Sequence, residues 1–189
     1  MGRRDHWVFA YGSLMWDPGF PVAESLGARL EGFRRTFCLR SVVYRGTVDA
    51  PGLVLGLDEE HDASCLGLAL RVDERDWPET LAGLRERELT TNAYEERALP
   101  LQLSDGRRIE AIGYVIRRDH DQYAGGLALD EQARIIAHAH GGRGPNSDYL
   151  FNTASHLAEM GVEDIDMDAL ARLVRDMIAH RQCKAAKPD

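Results

Sequence analysis

Apolar and polar positions alternate in short bursts through the first two-thirds of the chain, then fall into a three-and-four spacing in the last third. The short apolar runs bounded by turn residues predict strands at Val8–Tyr11, Ala28–Phe33, Thr36–Val43, Leu53–Leu57 and Cys65–Val72. Gly46, Pro51-Gly52 and His61-Asp62-Ala63-Ser64 read as breaks between them. Arg97–Leu103 and Arg108–Ile116 flank Ser104-Asp105-Gly106-Arg107, and an Asp-Gly between two such runs predicts a hairpin. One helix interrupts the strands, with Asp76 as its cap, Pro78 in its first turn and its end near Glu88. Three helices follow. The first spans about Asp130–His140 and stops at Gly141-Gly142. The second starts near Asn146, with Leu150, Ala154, Leu157 and Gly161 on one face. The third covers about Asp168–His180, with Leu170, Val174, Met177 and Arg181 in register, and the polar tail from Gln182 is expected to fray. Strands first and helices last predict the α+β class. The expected architecture is a single domain whose short, bent strands form a small mixed β-barrel or curled sheet, with flanking helices and a helical C-terminal third (about 130–181).

Composition narrows the classes of partner. The 189 residues, 44% of them hydrophobic, carry enough apolar material for a real core. A net charge of -8 with no basic stripe argues against nucleic acid; the pairs Arg34-Arg35, Arg107-Arg108 and Arg117-Arg118 read as solvated surface. No stretch approaches the length of a membrane span. At the start, Gly2 and Arg3-Arg4 resemble lipidation and export signals but satisfy neither: His6 stands where Ser or Thr is needed, and the following apolar run is short. Three unspaced cysteines make no disulfide framework. Cys38 and Cys65 read as small buried hydrophobes, which suits a reducing cytoplasm. Nothing in the sequence sets the oligomeric state.

Two features carry chemistry. The run Trp7-Val8-Phe9-Ala10 exits abruptly through Tyr11-Gly12-Ser13-Leu14, a turn able to leave backbone N–H groups facing open space, where they hold negative charge. The second is Glu88. Trp77, Leu81 and Leu84 lie on one side of their helix, and the next position on that side is Glu88; Glu86 falls about 200° away and faces solvent. A carboxyl against an apolar wall has a raised pKa, which suits proton transfer near neutrality. Spacing alone leaves an equal alternative: a helix-end glutamate turned to water or paired with an arginine. Other constellations read as structural. His138 and His140 are two apart and lack zinc spacing. Gly141-Gly142-Arg143-Gly144-Pro145 lacks the Gly-Lys-Ser/Thr ending of a phosphate loop. Ser13 lacks a nucleophile elbow and is read as a hydrogen-bond donor.

Taken in order, these segments resemble the ChaC-type γ-glutamylcyclotransferases. The resemblance is carried by Val8-Phe9-Ala10-Tyr11-Gly12-Ser13-Leu14-Met15-Trp16, by Arg34 to Ser41 and Tyr44 to Thr47, by Pro51 to Leu57, by Arg85-Glu86-Arg87-Glu88-Leu89 and by Asp148-Tyr149-Leu150-Phe151. It covers roughly residues 7–175. Ala10 stands where the family often has glycine, a change of one methyl group. The Arg-Glu pair occurs twice, and the spacing to Tyr94 together with the helix face favours Glu88 over Glu86.

The resemblance implies cleavage of glutathione to 5-oxoproline and Cys-Gly, a carbon–nitrogen lyase reaction needing no cofactor and no metal. It implies Glu88 as general base and acid. Tyr11, Gly12, Ser13 and Leu14 would hold the γ-glutamyl group, and Arg45 and Tyr149 would make further substrate contacts. Alternatives remain for these last two: Arg45 as strand-surface charge, and Tyr149 as a core tyrosine. Two other functions remain open as well: the same chemistry on other γ-glutamyl amines or peptides, and a non-catalytic γ-glutamyl-binding regulatory module.

Overall fold

The structure, a computed structural model, describes residues 5–185. Gly2 and Arg3-Arg4 lie outside the described residues, as does the tail beyond 185. Five strands close a barrel in the order β1-β3-β2-β4-β5: β1 (His6–Ala10), β2 (Glu24–Ser41), β3 (Gly52–Val72), β4 (Tyr94–Leu103) and β5 (Arg108–Ile116). β1 runs antiparallel to β3, with Val8 opposite Leu70, and parallel to β5, with Val8 beside Ile112. The predicted Asp-Gly hairpin joins β4 to β5, with Gln102 opposite Arg108 and Gly106 at φ +89°. In β4 the buried Leu99, Leu101 and Leu103 alternate with the exposed Ala98, Pro100 and Gln102, so period-two burial sets which face is inside. At Gly67 in β3 a Cβ would lie 2.3 Å from the Ala10 carbonyl oxygen, so only glycine lets β3 approach β1 this closely.

Two pairs of predicted strands are in fact single strands. Residues 28–33 and 36–41 belong to β2, which ends at Ser41 and leaves Val42 and Val43 outside it; Gly32, at φ +80°, lies within the first of the two runs. Residues 53–57 and 65–72 belong to β3, and the exposed His61-Asp62 continues it rather than breaking it. Strand membership follows backbone pairing with a neighbour, and polar side chains in water do not interrupt that pairing.

The chain divides into two compact units, each discontinuous in sequence. One comprises the described residues of Met1–Thr36 with Leu55–Tyr123; the other comprises Phe37–Val54 with the described residues after Ala124. The first unit holds α1 (Trp77–Glu88), which spans the predicted residues with Pro78 in its first turn, although Asp76 makes no side-chain capping hydrogen bond. Its core gathers Val8, Ala10, Leu14, Leu70, Val72, Leu84 and Tyr114, with Trp77, Leu89 and Tyr94 packed against them.

The second unit holds α2 (Leu129–His138), the two-residue strands β6 (His140–Gly141) and β7 (Gly144–Pro145), α3 (Asn146–Glu159) and α4 (Ile165–Ala185). The three helices pack on one another through buried Ile136, Leu150, Leu157, Leu170 and Val174. α4 extends past the expected end and takes in Gln182, where fraying was expected. α2 stops earlier than expected, and Gly141-Gly142 is not its cap. The Gly142 and Arg143 N–H groups donate to the Val43 and Tyr44 carbonyls at 2.8 and 2.9 Å, and a Cβ on Gly141 would lie 2.5 Å from the Gly46 nitrogen. The glycines there permit backbone-to-backbone contact. Asn146, fully buried, accepts from the Leu53 N–H and donates to the Leu53 carbonyl, both at 2.7 Å.

Candidate active site

β1 delivers Tyr11 at its end, and the chain then tightens into one 3₁₀ turn, Ser13–Met15, closed by the Met15 N–H on the Gly12 carbonyl at 2.9 Å. The N–H groups of Ser13 and Leu14 head this turn, where no earlier helical carbonyl can accept them. Tyr11 and Leu14 are themselves part of the packing. The Tyr11 hydroxyl donates to the Tyr114 carbonyl at 2.8 Å, and the Leu14 side chain is buried in the core cluster, so Leu14 offers a substrate only its backbone. Arg35 donates to the Tyr11 carbonyl at 3.0 Å and to the Leu66 carbonyl at 2.9 Å. That corrects the reading of the Arg34-Arg35 pair as solvated surface: Arg34 pairs with exposed Glu60, whereas half-buried Arg35 fastens the loop.

Glu88 is the last residue of α1, and its side chain is only 19% exposed. Burial pushes its carboxyl above the usual carboxylate range, and the charge of Arg87 opposes this only in part. Its place at the negative end of the helix dipole acts in the same direction as burial. Glu86, by contrast, is exposed, as the helix face predicts. Behind Glu88, the charge of the carboxylate is felt at Tyr114, whose phenol is pushed well up, chiefly by burial. The Tyr114 hydroxyl donates to Glu96 at 3.3 Å, and Glu96 is held in turn by a fork from Arg85 at 2.7 and 2.9 Å.

Arg87 is the residue that sequence reasoning missed. It donates to Ser13 Oγ and to the Asp17 carbonyl, each at 2.9 Å, and its Nε lies 3.3 Å from Glu88 Oε1. One signal was visible, the arginine adjacent to Glu88; its contact with a residue 74 positions away was not. Through it the predicted loop and the predicted carboxylate meet within one unit. Beside α1, Pro18, Phe20, Asp76, Glu79, Thr80 and Arg87 line a groove of about 270 Å³. Glu88 is not among its lining residues, so the groove is not where the carboxyl would work.

Arg45 and Tyr149 belong to the second unit. Arg45 Nη1 donates to the Arg143 and Pro145 carbonyls at 2.8 and 3.0 Å, and the guanidinium lies 5.6 Å from the centre of the Tyr149 ring. Tyr149 in turn meets Phe37 edge-on at 5.9 Å. Ser41 is buried and accepts the Arg45 N–H at 3.0 Å, so the pair ties the turn after β2 to the β6–β7 segment.

The segment after β5 is anchored within the first unit. Buried Asp58 accepts from Arg118 at 2.7 Å and from the Tyr123 hydroxyl at 2.8 Å; Arg118 itself stays on the exposed surface expected for its pair. Among the described residues no group of three or more His, Cys, Asp or Glu is placed to hold a metal ion, and no helix is long and apolar enough to cross a membrane. Cys38 and Cys65 are buried thiols, and Cys183 is exposed.

The sequence profile of the ChaC-like protein family matches residues 6–177. The chain belongs to the ChaC-like family. Among its relatives, the glutathione-specific γ-glutamylcyclotransferase of Escherichia coli K12 is 35% identical over 92% of this ChaC-like chain and 74% of its own. γ-Glutamylcyclotransferase 2-3 of Arabidopsis thaliana is 34% identical over 93% of this chain and 92% of its own. The crystal structure of a yeast γ-glutamylcyclotransferase specific to glutathione superposes with a TM-score of 0.85, covering 93% of this chain and 98% of the yeast chain at 23% identity, a likeness of fold. The barrel and its helices are therefore the γ-glutamylcyclotransferase architecture.

Proposed function

We propose that this chain cleaves glutathione to 5-oxoproline and Cys-Gly, acting as one cyclotransferase domain in the cytoplasm. The observation that carries the reading is a shielded carboxyl at the end of α1, linked by one arginine to the loop after β1. Family membership and relatives that act on glutathione support the substrate class. Three free thiols support the compartment.

The reaction is an intramolecular aminolysis. The substrate's α-amino nitrogen attacks its own γ-carbonyl carbon and forms the five-membered lactam. The amide bond from that carbon to the cysteine nitrogen breaks, and water is not consumed. Glu88 takes a proton from the α-ammonium and returns it to the departing cysteine nitrogen; the second proton lost as the attacking nitrogen becomes the lactam N–H follows the same path and leaves Cys-Gly as the ammonium, so one carboxyl serves each transfer. Its raised pKa brings the two protonation states closer in energy near neutrality. The Ser13 hydroxyl and the loop N–H groups hold the γ-glutamyl oxygens. Folding the chain so that amine and carbonyl meet supplies up to ~7–11 kcal/mol in the best intramolecular cases. Arg45 and Tyr149 are assigned to substrate through the family resemblance; their observed contacts are those of a structural tie.

The test is direct. Pure protein is incubated with glutathione without added metal, and Cys-Gly and 5-oxoproline are followed. Equal amounts of both are expected. No product at high enzyme concentration refutes the reading and leaves a binding module in its place. A panel of γ-glutamyl peptides cleaved faster than glutathione would move the substrate assignment.

A further inference from the structure

Arg87 lies between the two parts of the proposed site and takes no part in the proton transfers of the cyclisation. Its guanidinium reaches Ser13 Oγ, the Asp17 carbonyl and Glu88 Oε1 at 2.9, 2.9 and 3.3 Å. A guanidinium has donors only, so Ser13 meets it through an oxygen lone pair. The Ser13 proton must then point elsewhere, and the hydroxyl is left as a donor. The second fork arm on Asp17 fixes the plane of the guanidinium, and the Nε arm brings its charge beside the carboxyl that shuttles the proton.

We propose that Arg87 is a positioning residue for the cyclisation: it orients the Ser13 hydroxyl to donate to a γ-glutamyl oxygen and holds the Glu88 carboxyl aimed for proton uptake with a positive charge beside it. This rests on the assignment of Glu88 above. On the neighbouring elements, Tyr114 of β5 feels the Glu88 charge, and Glu96 of β4 and Arg85 of α1 act on Tyr114 in turn. Glu96 and Arg85 are committed to one another in a two-point fork. Arg87 is the cation whose charge acts on Glu88.

The measurement is kcat and KM against pH for wild type, R87M, R87K, S13A and the S13A/R87M double variant, with E88Q as control. In R87M the acid limb of kcat/KM moves upward by about one unit, a tenfold loss at a pH on that limb, because an opposite charge has been removed from the base. R87K keeps the charge and so keeps the limb, but a point charge cannot fork Ser13 and Asp17, and KM rises by about threefold or more. S13A raises KM, and R87M adds little to KM on top of it, because both changes remove the same contact. An unmoved acid limb in R87M, or multiplying KM effects in the double variant, overturns the proposal. Should R87M fail to fold, R87K decides alone: raised KM with an unmoved limb supports the role, and unchanged KM overturns it. An inactive wild type defeats the reaction assigned above, and an active E88Q defeats the Glu88 assignment; either takes this proposal with it. With wild type active and E88Q dead, the Arg87 variants speak for Arg87 alone.

Discussion

Glu88→Gln removes the charge from the end of α1 while keeping the side chain's length and one of its oxygens. The structure predicts that activity and stability respond in opposite directions. For activity, the variant loses its proton carrier, and general acid–base groups contribute about 10²- to 10⁴-fold. For stability, the sign follows from the raised carboxyl pKa. Below the ordinary value of 4.5 the carboxyl is protonated in both folded and unfolded chains, and charge makes no difference. Above it the unfolded chain ionises first, so wild-type stability falls as pH rises until the folded-state value is passed. Each unit of upward displacement costs about 1.4 kcal/mol. That displacement is what remains after the charge of Arg87 has opposed burial.

The neutral amide of the variant carries no such penalty. E88Q should match wild type near about pH 4 and exceed it at neutral pH, by about 2–4 °C in Tm for each kcal/mol recovered in a chain of this size. Thermal melts monitored by circular dichroism across that range, beside turnover of glutathione, make the test. Turnover within about tenfold of wild type refutes the catalytic assignment, being less than a general base contributes. An E88Q protein less stable than wild type at neutral pH refutes the argument that the carboxyl is penalised by burial.

Other predictions concern the scaffold. Asn146→Ala leaves a buried N–H and a buried carbonyl of Leu53 without their 2.7 Å partners, and should cost about 2–5 kcal/mol in chemical denaturation. Asp58→Asn weakens the anchor for Arg118 and Tyr123 by about 1–3 kcal/mol; denaturant midpoints and proteolysis within 117–123 would show it, and unchanged protection there would contradict the anchoring. Gly67→Ala puts a methyl carbon 2.3 Å from the Ala10 oxygen and should destabilise by about 1–3 kcal/mol, read as a lowered Tm.

Local chemistry in the sequence determined much of this. α1 was bounded correctly because Pro78 and the apolar spacing act over a few residues. The β4–β5 hairpin followed from Asp105-Gly106, and the 3.6-residue period placed Leu150, Leu157, Leu170 and Val174 inward. The same period aimed Glu88 away from Glu86 and toward the packed side of its helix. Tertiary structure decided the rest. Two long strands replaced four short ones, because continuity depends on the neighbouring backbone and not on side-chain pattern. Gly141-Gly142 became a place where backbones touch, which requires the Val43–Gly46 segment that no local window contains. Arg35 left the expected solvated surface for carbonyls far along the chain, Arg118 kept to the surface but found Asp58 there, and Arg87 found Ser13 in the same way. A guanidinium fits water, a carbonyl or a carboxylate equally well by composition. Its partner is settled only when folding brings distant atoms within hydrogen-bonding reach.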